Sequence, residues 1–228
     1  MVITQLYKST LCWRAFKTRS ELMKGYYRDL MPVIAQDFDH SSLIAVDLEM
    51  TGLDPINDQI LSIGLIPIEN NLLALDKAEQ KLIKVDGGVG QSAVIHGILD
   101  NHLDDAIDIK EAITWFLERT QGKMLVAHHA PLDLSFLQNA ISSCIGEPVK
   151  LLAIDTLAVE RKRLLRKHDL LKEGTLRLGA CRVRYGLPVY AAHNALVDAL
   201  ACGELLLAQA AAIGQGERLK LAELLAIK

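Results

Sequence analysis

Three separated stretches of this 228-residue chain carry the side chains best suited to chemistry. They are Asp47-Leu48-Glu49, Asp133 within Ala127-His128-His129-Ala130-Pro131-Leu132-Asp133, and His193-Asn194-Ala195-Leu196-Val197-Asp198. Together they supply four carboxylates and one histidine. That inventory can hold two divalent cations and activate a water molecule against a phosphodiester. Asp47 and Glu49 are two positions apart, so in a strand both carboxylates point to one face. Two acids at the end of an apolar strand are costly unless a cation neutralises them. Mg²⁺ and Mn²⁺, which favour oxygen ligands, are the economical choice. The ordinary alternative is a pair of solvated surface acids.

Each remaining residue has a plain reading beside a chemical one. Asp133 follows Pro131 at the expected start of a helix, where the helix dipole favours an acid even without further function. Asp198 sits among Leu196, Val197, Ala199, Leu200 and Ala201 on a very apolar helix, where an acid needs a partner. His193, five residues earlier, is either a loop histidine or a general base, because imidazole titrates near neutral pH. His128 and His129 are adjacent and point in different directions, so they make a poor metal pair and read as loop or core-edge residues. His96, in Ile95-His96-Gly97-Ile98, is equally open.

These residues need elements to position them. The apolar run Leu43-Ile44-Ala45-Val46 leads into Asp47 and predicts a buried strand. Turn chemistry at 51–58 precedes a second strand over 60–68, and a third is expected within 81–85. Helices are expected at 104–119, 132–142, 156–166, 176–185, 194–212 and 217–226, with short strands at 124–127 and 151–154. Three early strands followed by strands alternating with helices predict an α/β fold, a mixed sheet with helices on both faces. Residues 1–40 pattern differently and read as a helical N-terminal extension ending near Pro32. The domain carrying the three motifs is expected to cover 41–228.

Composition narrows the classes. Half the residues are apolar and only 5% aromatic, so the core is mainly aliphatic. No uncharged apolar run reaches the roughly 18 residues of a membrane span; the candidate 196–214 carries Asp198 and Glu204. Cys12, Cys144, Cys181 and Cys202 form no Cys-x-x-Cys pair, which excludes a zinc ribbon or thioredoxin-type site. Free thiols in a reducing compartment are expected, hence a cytoplasmic protein; without such an apolar run no membrane is expected. The net charge of −3 is unremarkable, but its distribution is uneven. Residues 161–184 hold nine Lys/Arg against two acids, and residues 1–33 hold six against two. Each segment is either a track for a phosphate backbone or a solvated face.

The order and context of the motifs resemble the DEDDh group of 3′-5′ exonucleases, the DnaQ-like type that includes the DNA polymerase III epsilon subunit. The resemblance rests on Val46 to Asp54 with Gln59 to Gly64, on Leu125 to Leu137, and on His193 to Asp198. Ile95-His96-Gly97-Ile98 and Asp155-Thr156-Leu157 are similar to segments between the family's motifs. It covers about residues 43–213 and implies an RNase H-like, five-stranded mixed sheet flanked by helices.

The resemblance also implies roles. Asp47 would bridge two ions, Mg²⁺ or Mn²⁺. Glu49 and Asp198 would complete the site of the ion that holds the attacking water, and Asp133 would serve the second. His193 would take that water's proton. Met50, Thr51, Leu53 and His96, with His129 at the second motif, would surround the terminal nucleotide. The expected partner is a nucleic-acid 3′ end, DNA before RNA, with a possible protein partner through residues 1–40. Two departures bear on substrate. The first motif, Asp47-Leu48-Glu49-Met50-Thr51-Gly52, is similar to oligoribonucleases, where epsilon-like members read Asp-Thr-Glu-Thr-Thr-Gly. His129 and Leu132 replace an Asn and an aromatic. RNA or short oligoribonucleotides are therefore the second substrate reading, and a binding module without catalysis is the third.

Overall fold

The computed structural model describes residues 2–87, 92, 97–98, 105–166, 169–214 and 218–227. Among the described residues six strands form one mixed sheet: β1 (Leu43–Met50), β2 (Ile60–Glu69), β3 (Leu72–Leu73), β4 (Glu79–Leu82), β5 (Met124–Ala127) and β6 (Ala153–Asp155). The order is β3-β2-β1-β5-β6, with β4 also paired to β2. β3 pairs with Ile68 and Glu69 of β2, whereas β4 pairs with 62–65, so the two share one edge end to end. The expected five-stranded sheet is therefore five positions wide but built from six strands. The third strand starts earlier than its sequence suggested, at Glu79, because pairing to β2 outweighs the polarity of Glu79-Gln80-Lys81.

β1 is central. It runs antiparallel to β2 and parallel to β5, and β5 is parallel to β6. Seven of its eight neighbours in register along β2 are fixed before a bulge between Glu49 and Met50 ends the regular ladder beside the acids. Such a strand, covered on both faces, reads as the continuous apolar run Leu43-Ile44-Ala45-Val46.

Helices cover the sheet: α1 (Val2–Lys17), α2 (Glu21–Ile34), α3 (Ile109–Thr120), α4 (Ala130–Ile145), α5 (Thr156–Leu164), α6 (Leu178–Val183), α7 (Ala195–Gly214) and α8 (Leu221–Leu225). α7 packs on β1 and β2. By length and composition it could cross a membrane, but Ala199, Ala201, Cys202, Leu205 and Leu206 are buried in the core. Close approach to the sheet depends on Gly203, where a Cβ would lie 2.7 Å from Leu73 and 3.4 Å from Ala45.

The N-terminal helices share this core. Met23, Tyr26, Tyr27, Leu30, Val33 and Ile34 of α2 are buried in one cluster with β1 and β5. α1 buries Leu11 and Ala15, packs Tyr7 against the same cluster, and leaves Leu6, Trp13 and Phe16 exposed. α2 continues through Pro32 to Ile34. The chain after it pairs with the C-terminal segment, where Phe38 N–H donates to Leu219 O at 2.8 Å.

Candidate active site

β1 presents Asp47 and Glu49 on the face where α7 lies. Gly64 of β2 stands directly across from Asp47, and a Cβ there would collide with the Ala195 backbone. The missing side chain lets the first turn of α7 descend onto the sheet beside Asp47. Asn194 caps that helix, its Oδ1 accepting from the N–H groups of Leu196 and Val197 at 3.1 Å. The cap fixes the turn that carries Asp198. His193 precedes it with φ of 69°, left-handed for a residue with a Cβ, and its backbone N–H donates to Asp198 Oδ2 at 2.7 Å. Loop and helix are thus locked together at the two residues of the third motif.

Ligand atoms of Asp47, Glu49 and Asp198 all lie within 4.8 Å of one another. Asp133, in the first turn of α4, is buried and lines the same cleft. The cleft has a volume of about 890 Å³, and Met50, Thr51, Leu53, His129 and His193 also border it. The structure therefore gathers four acids and His193 from elements some 150 positions apart in sequence. Of the expected nucleotide contacts, Met50, Thr51, Leu53 and His129 reach this cleft, while His96 lies outside the described residues.

Electrostatics show what the acids lack without a cation. Burial and then the charges of Asp133, Asp198 and Glu49 push the Asp47 carboxyl well above the usual range. Burial, with Asp198, raises Glu49 to about 7. Burial also raises Asp133 to about 8, aided by Asp155 and Glu49. Burial raises Asp198, opposed by the hydrogen bond from His193. All four oppose ionisation, which is the signature of a site whose counter-charge comes from outside the chain. Carboxylate oxygens as the donor set suit a hard divalent cation, so the residues fit the metal that the resemblance implies.

The loop joining β1 to β2 is stiff. Thr51 Oγ1 donates to Asp58 Oδ1 at 3.2 Å and accepts from Gln59 N–H at 2.9 Å, and Asp58 Oδ2 accepts from Asp54 N–H at 2.9 Å. The Thr51 hydroxyl and its backbone N–H, which donates to Gln59 O at 2.9 Å, are thereby committed to the loop. Leu53 is 73% exposed at the rim.

The two adjacent histidines separate in role. His128 is held at both ring nitrogens, Nδ1 to Thr156 Oγ1 and Nε2 to Leu176 O, each at 2.8 Å, and burial lowers its pKa. With both ring nitrogens taken up inside the chain, it acts as a strut. His129 is exposed in a left-handed conformation (φ 71°), and its backbone N–H donates to Asp155 Oδ1 at 3.0 Å. Asp155 also caps α5 through the same oxygen, accepting from Leu157 N–H. The sequence marked Asp155 only as part of a resembling segment, and Gly64 only as the end of one. Their roles depend on partners distant in sequence.

The basic stretch 161–184 is not one surface. Arg163 and Arg184 pair with the buried Glu160 at 2.7 and 2.8 Å, and buried Arg182 pairs with Glu204 at 2.7 Å. Among the described residues of the stretch, Arg161, Lys162, Arg166, Lys172 and Arg177 are exposed and make no ion pair.

A family profile described as exonuclease matches residues 44–206, from the first strand of the site through most of α7. The chain belongs to the exonuclease family. The DNA polymerase III epsilon subunit of Treponema pallidum is 30% identical over 73% of this chain and 75% of its own. A PolC-type DNA polymerase III of Thermotoga petrophila is also 30% identical, over 78% of this chain but only 13% of that protein. Exonuclease I of E. coli, in complex with a dT13 oligonucleotide, shares the fold with a TM-score of 0.63 at 15% identity, over 78% of this chain and 42% of that one. The nuclease domain of 3′hExo, a DEDDh family member bound to rAMP, superposes with a TM-score of 0.61 at 14% identity, over 80% and 97%. The RNase H-like fold and the DnaQ-like exonuclease assignment stand together. The clustered carboxylates of Asp47, Glu49 and Asp198 are compatible with the divalent metal that an exonuclease family implies.

Proposed function

We propose that this exonuclease releases nucleoside monophosphates from the 3′ end of DNA, at single-stranded or frayed termini, with two Mg²⁺ or Mn²⁺ ions. The observation that carries the reading is the convergence of Asp47, Glu49, Asp133, Asp198 and His193 on one cleft. When bound, the metal supplies Lewis-acid charge that stabilises the entering and leaving oxygens of the displacement. Asp47, Glu49 and Asp198 hold it through the clustered oxygens. Asp133, beside them in the cleft, completes the acidic wall.

His193 lies exposed at the cleft edge and takes the proton of the attacking water. Its backbone bond to Asp198 ties the proton acceptor to a metal ligand. Met50, Thr51 and Leu53 receive the terminal nucleotide, with His129 on the same cleft. The chain upstream of the scissile bond runs over the unpaired basic residues around Arg161 and Arg177. Arg177 neighbours Leu176, whose carbonyl is held by His128 at the cleft. DNA is favoured because relatives at 30% identity are DNA polymerase III proteins. A protein partner bound through residues 1–40 would use the exposed face of α1, because α2 is taken up by the core. The thiols among the described residues are free, in keeping with a cytoplasmic location.

RNA is the second reading, favoured by the oligoribonuclease-like first motif. A gel time course on 5′-labelled single-stranded DNA and RNA of identical sequence separates them, with Mg²⁺ or Mn²⁺ and an EDTA blank. A ladder shortening from the 3′ end, faster on DNA and lost in EDTA, is expected. Faster shortening of RNA moves the substrate, and no shortening with either metal removes the catalytic reading.

A further inference from the structure

We infer that Arg182 is a positioning residue for the reaction: together with Glu204 and Tyr190 it clamps the 187–193 loop and so sets where the His193 imidazole lies. The inference rests on the reading of His193 as proton acceptor.

Arg182 lies in α6 and is only 2% exposed. A buried guanidinium is costly unless its donors are met. Its Nη1 donates to Ala201 O at 2.6 Å, and its Nη2 donates to Glu204 Oε2 at 2.7 Å and to Pro188 O at 2.8 Å. Its carbon stands 4.6 Å from the Tyr190 ring centroid, and the Tyr190 hydroxyl donates to Glu204 Oε1 at 3.0 Å. The Leu187 N–H donates to Arg182 O at 3.2 Å. One cation thus grips α7 through Ala201 and Glu204, and the loop through Pro188 and Tyr190.

Only Ala191 and Ala192 separate that grip from His193, and both are exposed. His193 is held in a left-handed conformation that is unfavourable for a residue with a Cβ. Such a conformation persists where the surrounding structure over-determines it. On the N-terminal side Asp198 holds the His193 N–H and Tyr190 is anchored to Glu204, while on the C-terminal side Asn194 is fixed as the cap of α7. A cavity of about 160 Å³ beneath the loop is lined by Arg182, Pro188, Tyr190, Ala192 and Asp198, so the loop has room to sag if the clamp opens. Arg182 is too buried to meet a phosphate itself. Its planar fork bridges helix and loop in a way a lysine ammonium does not reproduce.

The test is a double-mutant cycle on the full chain. Arg182→Lys, Tyr190→Phe and His193→Ala are measured singly and in pairs for kcat, for KM on a DNA oligomer, and for Mn²⁺ affinity by calorimetry. Arg182→Lys is expected to lower kcat about tenfold to a hundredfold, the scale of a misplaced catalytic group, with KM and Mn²⁺ affinity changed less than about twofold. In His193→Ala, which keeps measurable activity if a general base contributes about 10²–10⁴, Arg182→Lys is expected to add almost nothing. Tyr190→Phe keeps the ring over the guanidinium and is expected to act in the same direction more weakly. It carries the test should Arg182→Lys not fold. Losses that multiply in the double variants, or an unchanged kcat in the folded single variants, overturn the clamp. An unchanged kcat in His193→Ala overturns the proton-acceptor reading and the clamp with it, and is told apart from the first failure by that single variant alone.

Discussion

Gly64 leaves open the space that the Ala195 carbonyl occupies: a Cβ on Gly64 would overlap that oxygen. Because Gly64 is the register partner of Asp47, this one absent methyl lets α7 bring Asp198 against Asp47. Gly64→Ala is expected to push the first turn of α7 off the sheet. Overpacking of this kind costs about 1–3 kcal/mol, and displacement of a ligand-bearing turn weakens metal binding about tenfold or more. Chemical denaturation and Mn²⁺ calorimetry on the folded variant check both effects. Wild-type affinity in a folded Gly64→Ala protein would show that the turn is set elsewhere.

Asp47 is expected to be needed for catalysis and yet harmful to the metal-free protein. Its carboxyl is buried and faces three others, so ionising it opposes burial and their charges. Asp47→Asn removes a ligand oxygen's charge and is expected to lower hydrolysis at least about a thousandfold, several kcal/mol of lost charge stabilisation. The same change relieves repulsion, so in EDTA at pH 8 its Tm is expected to exceed that of the wild type. A lower Tm there would make Asp47 a structural acid.

The raised carboxyls fix how stability responds to pH. Glu49 stands at about 7 and Asp133 at about 8 in the folded, metal-free protein, above their ordinary 4.5 and 3.8. A folded-state pKa above the unfolded one contributes stability that is present below the unfolded value and lost as pH rises through the folded value. The Tm in EDTA is therefore expected to fall between pH 6 and 9. Divalent metal reverses this, because binding expels the held protons. Calorimetry of Mn²⁺ binding in two buffers of different ionisation enthalpy should show proton release at pH 6.5 that shrinks toward pH 9. A Tm in EDTA that holds steady or rises over this range would mean the carboxyls are not held protonated by the fold.

Local spacing made parts of the site legible, and the order of its three motifs, which resembles a known family, supplied the rest. Asp47 and Glu49 share a strand face by their spacing, and Asn194 and Asp198 belong to one helix start. What escaped is contact between distant segments. The two-residue β3 and polar β4 gain strand structure only by pairing with β2. Arg163, Arg182 and Arg184 read as a charged face along the sequence, and only the fold brings Glu160 and Glu204 to them. The pattern of residues 1–40 signals a helical extension but not that Tyr26 and Tyr27 are buried in a core built beyond residue 40.

Glu160 is the clearest case of a charge that serves the scaffold rather than the reaction. Its side chain is fully buried in α5, where burial alone would raise its pKa; hydrogen bonds from Arg163, Arg184 and Tyr185 outweigh that and hold it at about 2. A depressed carboxyl contributes stability that is present above the unfolded value, near 4.5, and lost as pH falls through the folded one. The wild type is therefore expected to lose stability steeply between about pH 5 and 2, over and above its other acids. Glu160→Gln should flatten that limb. It also leaves Arg163 and Arg184 without their counter-charge. Breaking a fully buried pair costs about 3–5 kcal/mol, and the arginines' remaining 35% and 25% side-chain exposure brings the expected loss at pH 7 to about 2–3 kcal/mol. Mn²⁺ affinity at pH 7 should stay within about twofold, since Glu160 is not among the clustered ligands. Urea denaturation across pH 2.5–7 on both proteins reads the slope and the offset. An unchanged acid limb would mean that Glu160 is protonated in the fold and that its hydrogen bonds do not require charge.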